Sequence, residues 1–157
     1  MSRLRILEER DRAPKRMAVE ERRRLLEKVA EALKERTELL LAVAHGGFIE
    51  APVFRDLDLA VYTGGRVPPG EWFMYADDLE EELRGVVGFA VDVQVLDYAP
   101  PSFRYSALAR GVVLLERVPG LRAILLAHAL EELQAFKLRR ALLRPTPSSI
   151  KDSAERW

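Results

Sequence analysis

Two aspartates separated by one residue are the clearest chemical feature of this sequence. Asp56 and Asp58 lie in segment 55–62, where polar and apolar residues alternate. Because successive side chains of an extended strand point to opposite faces, both carboxylates are predicted to lie on the same face. Asp92 lies between two valines in a second alternating segment, residues 91–95. If the two strands are neighbours, three carboxylates gather on one side of a sheet.

Three clustered carboxylates form a ligand set for a hard divalent cation. Like charges raise one another's pKa unless a cation lies between them. Mg²⁺ typically binds one or two carboxylates together with substrate phosphates and water. The pattern therefore predicts a Mg²⁺ or Mn²⁺ site at Asp56, Asp58 and Asp92. The competing interpretation is the solvated face of an antiparallel sheet, because a short Asp-x-Asp pattern occurs often.

A glycine pair precedes the aspartates. Gly46 and Gly47 follow the apolar run 39–44. Glycine lets a backbone approach a phosphate closely, and successive N–H groups can form an anion cradle. The pair is therefore a candidate nucleotide-binding turn, although a lone Gly-Gly is more often a strand-ending turn without a ligand.

The elements that would carry these residues alternate between helices and strands. Hydrophobic periodicity predicts helices over about 17–38, 72–83, 101–109 and 119–143, and strands over 39–44, 57–62, 89–96 and 112–115. Gly111 is placed as the C-terminal cap of the third helix. This order predicts one α/β (α+β) domain over 1–157, with a mixed sheet, a core at about 39–117 and helical extensions at both ends.

Composition excludes several classes of protein. The 157 residues contain no cysteine, which excludes a disulfide framework, a thiolate zinc site and a cysteine nucleophile. The formal net charge is zero, which argues against nucleic acid as a partner. No run approaches the roughly 18 apolar residues of a membrane span, and the charged first 16 residues do not form a signal peptide. We therefore expect a soluble, cytoplasmic protein.

Together these motifs resemble the minimal nucleotidyltransferases of the DNA polymerase β superfamily. The correspondence consists of the apolar strand ending at His45, the pair Gly46-Gly47, the Asp56-Leu57-Asp58-Leu59 stretch and Asp92 on a later strand. Residues 99–101 and 104–117 also resemble the small prokaryotic members that are encoded beside HEPN-domain proteins. The resemblance covers residues 39 to about 117.

The resemblance implies a nucleotidyltransferase fold and a specific reaction. Gly46 and Gly47 would hold the triphosphate of ATP or another nucleotide, and Asp56 and Asp58 would ligate the metals. Asp92 would complete the catalytic site as the best candidate to accept the nucleophile's proton. The reaction would transfer a nucleoside monophosphate, usually AMP from ATP, to a hydroxyl. The acceptor would be a partner protein if the chain acts as the antitoxin of a HEPN–nucleotidyltransferase pair.

Two departures from the family pattern keep other functions open. Position 47 is glycine where the family favours serine, and the loop 48–55 is shorter than usual. Arg55 and His45 could instead supply the phosphate contacts. The competing interpretation of Arg55 is a surface ion pair, and that of His45 is a hydrogen-bonded histidine at the end of a strand. A binding or regulatory module that has lost catalysis is therefore the alternative function, and an unrelated α/β domain is the third.

The final helix has apolar residues around most of its circumference. One stripe includes Leu126, Leu130 and Leu133, and another includes Leu121, Ile124 and Leu125. A helix that is apolar on all sides is normally buried. Since one small sheet can cover only one stripe fully, we expect the helix to mediate a homo-oligomer or a partner contact.

Overall fold

A four-stranded mixed sheet forms the centre of the structure, a computed structural model that describes residues 9–144. The strands, in chain order, are β1 (Lys15–Arg16), β2 (Leu41–His45), β3 (Val53–Phe54), β4 (Leu57–Tyr62), β5 (Val91–Val95) and β6 (Val112–Glu116). The helices α1 to α5 are Val19–Lys34, Gly47–Glu50, Trp72–Val87, Pro101–Arg110 and Leu121–Leu143. The central sheet has the order β5–β4–β2–β6, and β1 and β3 form a separate two-stranded ribbon.

The connections explain the mixed character of the sheet. A short loop and the single-turn helix α2 join β2 to β4, and these two strands are antiparallel. Helix α3 joins β4 to β5, and a helical crossover returns the chain in the same direction, so that this pair is parallel. In this parallel register Asp58 is the neighbour of Asp92.

The two faces of the sheet carry two separate cores. Leu57, Leu59 and Val61 pack with residues of α1 and α3, including Val29 and Leu83. On the opposite face Leu41, Val43 and Ala60 pack with Ala107 and Leu108 of α4 and with the first half of α5. Asp56, Asp58 and Asp92 belong to this second face by strand alternation, at the end of the sheet where β4 and β5 begin.

The predicted fold class is confirmed, and some details differ. The structure adds α2, β1 and β3, which are two to four residues long and too short for a periodic signal. Gly111 is the C-terminal cap of α4, as predicted: its N–H donates to the Ala107 carbonyl, and its backbone is extended with φ −75°. Its role is steric, because a Cβ there would lie 2.1 Å from Val43 Cγ1. Residues 1–8 and 145–157, the ends of the predicted domain, lie outside the described residues.

Helix α5 is divided along its length. Leu121, Leu125 and Leu126 pack on the second core and Ala129 is buried. Beyond this point the side chains are largely exposed: Phe136 is 61% exposed, Leu138 62% and Leu143 78%. Within the first half, one face packs on the second core while Ile124 on the other face is 51% exposed, so the helix is divided around its circumference as well as along its axis. None of the helices within residues 9–144 is long and apolar enough to span a membrane.

Candidate active site

The three predicted aspartates lie together on one face of the sheet. Asp56 directly precedes β4, Asp58 is the second residue of β4, and Asp92 is the second residue of β5. One carboxylate oxygen from each lies within 4.8 Å of the others, and all three side chains are half-buried. The expected proximity is therefore observed. Their roles as metal ligands and catalytic groups stay predictions.

Their protonation equilibria reflect this crowding. Burial, a hydrogen bond with Asp92 and the charges of Asp58 and Asp92 raise the pKa of Asp56 to about 6. Burial and the charge of Asp92 raise the pKa of Asp58. The pKa of Asp92 is lowered, chiefly by a hydrogen bond from Arg12. The cluster therefore holds more negative charge than its surroundings neutralise, which is the electrostatic condition for binding a cation.

Arg12 is the cationic side chain that contacts this cluster. Its Nη1 donates to Asp56 Oδ2 at 2.8 Å and to Asp92 Oδ2 at 3.0 Å. Its Nη2 donates to Asp92 Oδ1 at 2.8 Å, which completes a bidentate pair with Asp92. The donor set therefore accommodates a positive charge in this structure, and three oxygen ligands of this geometry fit a hard divalent cation.

Residues 9–16 form a short strap that holds the backbone of Arg12 against the sheet. Lys15 Nζ donates to the carbonyl oxygens of Asp11 and Ala13 at 2.6 and 2.8 Å. Strand β1 pairs with β3, so that Lys15 is opposite Phe54. Sequence reasoning did not find Arg12, because residues 9–16 have no periodic pattern that relates them to strands 44 and 80 residues away.

The glycine pair forms the turn beside Asp58. Gly46 has φ +76°, and a Cβ at this position would lie 2.4 Å from Asp58 Oδ2. Glycine at position 46 is therefore required both by the backbone conformation and by the close approach of the carboxylate. Gly47 begins α2, and the nearest atoms to a Cβ there are 3.9 Å away. The two glycines have different structural roles.

Arg22 holds the loop that follows the glycine pair. Its guanidinium donates to the carbonyl oxygens of Phe48, Ala51 and Pro52 at 2.6–2.9 Å. It also lies 4.9 Å from the centroid of the Phe54 ring. Because these carbonyls belong to the single-turn helix α2 and the loop that follows it, which leave no periodic pattern, the sequence contained no signal that would distinguish Arg22 from Arg23 and Arg24.

Within residues 9–144, the structure shows neither a hydrogen bond at His45 Nε2 nor an ion pair at Arg55, which were the interpretations that competed with phosphate binding. His45 Nε2 is buried and has no hydrogen-bond partner among residues 9–144, and burial lowers the pKa of this side chain. Its ring makes an edge contact with Phe103 at 5.4 Å between centroids. Arg55 is exposed, and its Nη1 donates to the Arg12 carbonyl at 3.4 Å. Phosphate contacts by either side chain stay predictions.

Comparison with known proteins identifies the family of the chain and the solved structures that share its fold. Residues 27–119, more than half of the chain, match the family described as polymerase beta, nucleotidyltransferase. No protein of curated function matches the sequence.

Three solved structures share the fold. A chain of the MntA–HepT toxin–antitoxin superposes with a TM-score of 0.61 at 16% identity, over 77% of this chain and 94% of the other. A chain from the complex of tri-AMPylated Shewanella oneidensis HEPN toxin with its MNT antitoxin gives 0.62 at 15% identity, over 78% and 94%. A toxin–antitoxin chain solved with AMP-PNP gives 0.63 at 16% identity, over 75% and 94%. At such identities the likeness shows the fold alone.

Proposed function

The chain belongs to the polymerase beta nucleotidyltransferase family, and we propose that it is a divalent-metal-dependent enzyme that transfers AMP from ATP to a hydroxyl of a partner protein. The observation that carries this proposal is the Asp56, Asp58 and Asp92 cluster, whose carboxylate oxygens lie within 4.8 Å of one another and whose sequence pattern resembles the family's acidic motif. The AMP-PNP bound in one structure of similar fold supports ATP as the nucleotide. The AMPylated HEPN toxin of another supports a HEPN-type protein as the acceptor. We propose that this ATP-dependent reaction takes place in the cytoplasm.

The aspartates and the glycines would have separate roles in the proposed reaction. Asp56, Asp58 and Asp92 would hold Mg²⁺ or Mn²⁺, which when bound neutralises charge on the triphosphate and the attacking oxygen. Gly46 and Gly47 would orient the triphosphate. The acceptor oxygen forms a bond to the α-phosphorus, the bond from that phosphorus to the bridging oxygen breaks, and pyrophosphate leaves. Asp92 is the carboxylate that we assign to accept the hydroxyl proton.

Labelled ATP provides the decisive test. The protein is incubated with Mg²⁺, a HEPN-type partner and ATP labelled at either the α- or the γ-phosphate. We expect label on the partner from α-labelled ATP and none from γ-labelled ATP, and no transfer by the Asp58→Asn variant. Transfer from the γ position would show a kinase-type reaction and would refute AMP transfer.

A non-catalytic nucleotide-binding module is the second candidate. The observation that favours it is Gly47, which lacks the hydroxyl that the family favours at this position. This alternative predicts ATP binding by calorimetry with no transfer to any partner under the same conditions. A protein that binds neither Mg²⁺ nor ATP would refute both functions.

We also propose that the exposed half of α5 pairs with a second copy of the chain. Leu133, Phe136 and Leu143 continue the packing face of Ala129 at spacings of three, four and seven residues, which is a helix-pairing pattern. Glu131 and Glu132 lie at the start of this exposed half, and Lys137, Arg139 and Arg140 lie further along it. Antiparallel pairing of two such helices brings the acidic part of each beside the basic part of the other, which is the charge complementarity that favours a second copy.

Two side chains of nearly equal exposure provide a matched test of this dimer. Phe136 lies on the pairing face, and Leu138 is about 200° around the helix from it. We expect Phe136→Glu to give a folded monomer in sedimentation experiments and Leu138→Glu to remain a dimer. Leu126 is unsuitable as a target because it packs on the second core. A wild-type protein that sediments as a monomer at high concentration would exclude the homodimer.

A further inference from the structure

A guanidinium of the chain itself lies on the oxygens that the proposed metal would use. Arg12 engages both oxygens of Asp92 and Oδ2 of Asp56 at 2.8–3.0 Å. A guanidinium and a divalent cation repel each other, and they compete for the same carboxylate lone pairs. Occupation by one therefore opposes occupation by the other.

We propose that Arg12 is an autoinhibitory counter-ion: a divalent cation binds Asp56, Asp58 and Asp92 only after the Arg12 side chain has left them. The proposal deepens the proposed function and rests on its metal site. Arg12 lies outside residues 27–119, which match the family, so this contact is a property of the segment that precedes the family domain.

The backbone around Arg12 is held in place, whereas the Arg12 side chain is free to rotate. Lys15 and the β1–β3 pairing hold the strap without using the carboxylate cluster. The Arg12 side chain is 47% exposed and lines an open cleft of about 980 Å³. Glu80 and Glu81 of α3 line the same cleft, so that an Arg12 side chain released from the aspartates finds acidic side chains and solvent there. The release therefore requires side-chain rotation and no unfolding of the strap.

In the metal-free protein the Arg12 contact should stabilise the fold, although it opposes metal binding. Without a cation, Arg12 is the group that offsets repulsion between Asp56 and Asp92. Removing it leaves the carboxylates unpaired, so the metal-free protein should become less thermostable. Saturating Mg²⁺ replaces the lost positive charge and should abolish the difference. A merely structural surface arginine would not produce this dependence on metal.

Calorimetric titration with Mn²⁺ tests the competition directly. Arg12→Gln removes the contact, and Arg10→Gln is the matched control because it removes the same charge from the same segment. Arg10 is exposed and forms no ion pair among the residues that the structure describes. If the contact leaves the site free for one-tenth to one-third of the time, Arg12→Gln should bind Mn²⁺ about 3- to 10-fold more tightly than wild type. Arg10→Gln should bind like wild type.

The outcomes separate this proposal from the metal site itself. Loss of Mn²⁺ binding in Asp58→Asn tests the site and is independent of Arg12. Tighter binding in Arg12→Gln alone, with a melting temperature that Mg²⁺ restores to the wild-type value, supports autoinhibition. Equal tightening in both arginine variants would show a general charge effect and would overturn it. So would unchanged, weaker or absent Mn²⁺ binding in Arg12→Gln, because Arg12 would then not compete with the cation.

Discussion

The unequal surroundings of the two glycines allow one matched pair of substitutions to test the site geometry. In Gly46→Ala, the new Cβ would lie 2.4 Å from Asp58 Oδ2 and 3.3 Å from Asp58 Cγ. The carboxylate must therefore retreat by about 1 Å to reach ordinary contact distance. In Gly47→Ala, the nearest atom is 3.9 Å away and φ is not positive.

The conformation of Gly46 adds a second penalty. With φ +76° and ψ −158°, its backbone lies in a region that is almost restricted to glycine. Strain of this kind is worth about 1–3 kcal/mol, so Gly46→Ala should lower the free energy of unfolding by at least that amount. Gly47→Ala should change it by less than about 1 kcal/mol, in the stabilising direction, because alanine restricts the unfolded chain at the start of α2.

Metal binding provides the functional measurement for the same pair. A displacement of about 1 Å at a positioned group can reduce its contribution about 100-fold, so Gly46→Ala should lose most Mn²⁺ affinity even where it remains folded. Urea unfolding gives the stability difference, and calorimetry below the unfolding transition gives the affinity. Equal stability and equal Mn²⁺ binding in the two alanine variants would refute the close approach of Gly46 to Asp58.

Three further predictions concern the charges around the site. Because burial and Asp92 raise the pKa of Asp58, its ionised form is disfavoured in the folded state. Asp58→Asn should therefore leave metal-free stability unchanged or raise it by roughly 0–1 kcal/mol in urea unfolding, while calorimetry shows that Mn²⁺ binding is lost. The pKa of Asp56 is raised to about 6, so between about pH 4 and pH 6 the folded state retains a proton that the unfolded state releases. In this window the metal-free free energy of unfolding should fall as pH rises, and Asp56→Asn should remove this contribution from a pH series of unfolding curves. Arg22→Ala should destabilise the protein by about 1.5–3 kcal/mol because three carbonyls lose a charged donor, whereas Arg23→Ala, which loses only an exposed ion pair with Glu20, should change stability by less than about 1 kcal/mol in the same assay.

The acidic cluster was accessible from the sequence because two independent strand patterns pointed to it. Alternation placed Asp56 and Asp58 on one face of one strand and Asp92 on one face of another. What alternation cannot supply is the register, and here the parallel pairing of β4 with β5 makes Asp58 and Asp92 neighbours. If the register of β5 against β4 were shifted by one residue, Asp92 would face the first core.

The arginine contacts were not accessible in this way. Arg12 reaches the cluster because a two-residue ribbon and a lysine hold its backbone, and neither leaves a periodic trace in the sequence. Arg22 is one of three consecutive arginines, and it is distinguished only by the carbonyls of α2 and of the loop that follows it. Both depend on tertiary contacts of irregular backbone, where residue type and spacing carry no directional information.

Gly46 and Gly47 have different structural roles, and only the structure distinguishes them. From the sequence, Gly46 and Gly47 are interchangeable members of a turn. In the structure, Gly46 is constrained by its own φ and by Asp58, whereas the surroundings of Gly47 leave room for a side chain. The serine that the family favours at position 47 would therefore fit without moving the backbone. Its absence would change the chemistry offered to a phosphate and leaves room at position 47, so position 47 can be altered without disturbing the aspartate cluster, whereas position 46 cannot.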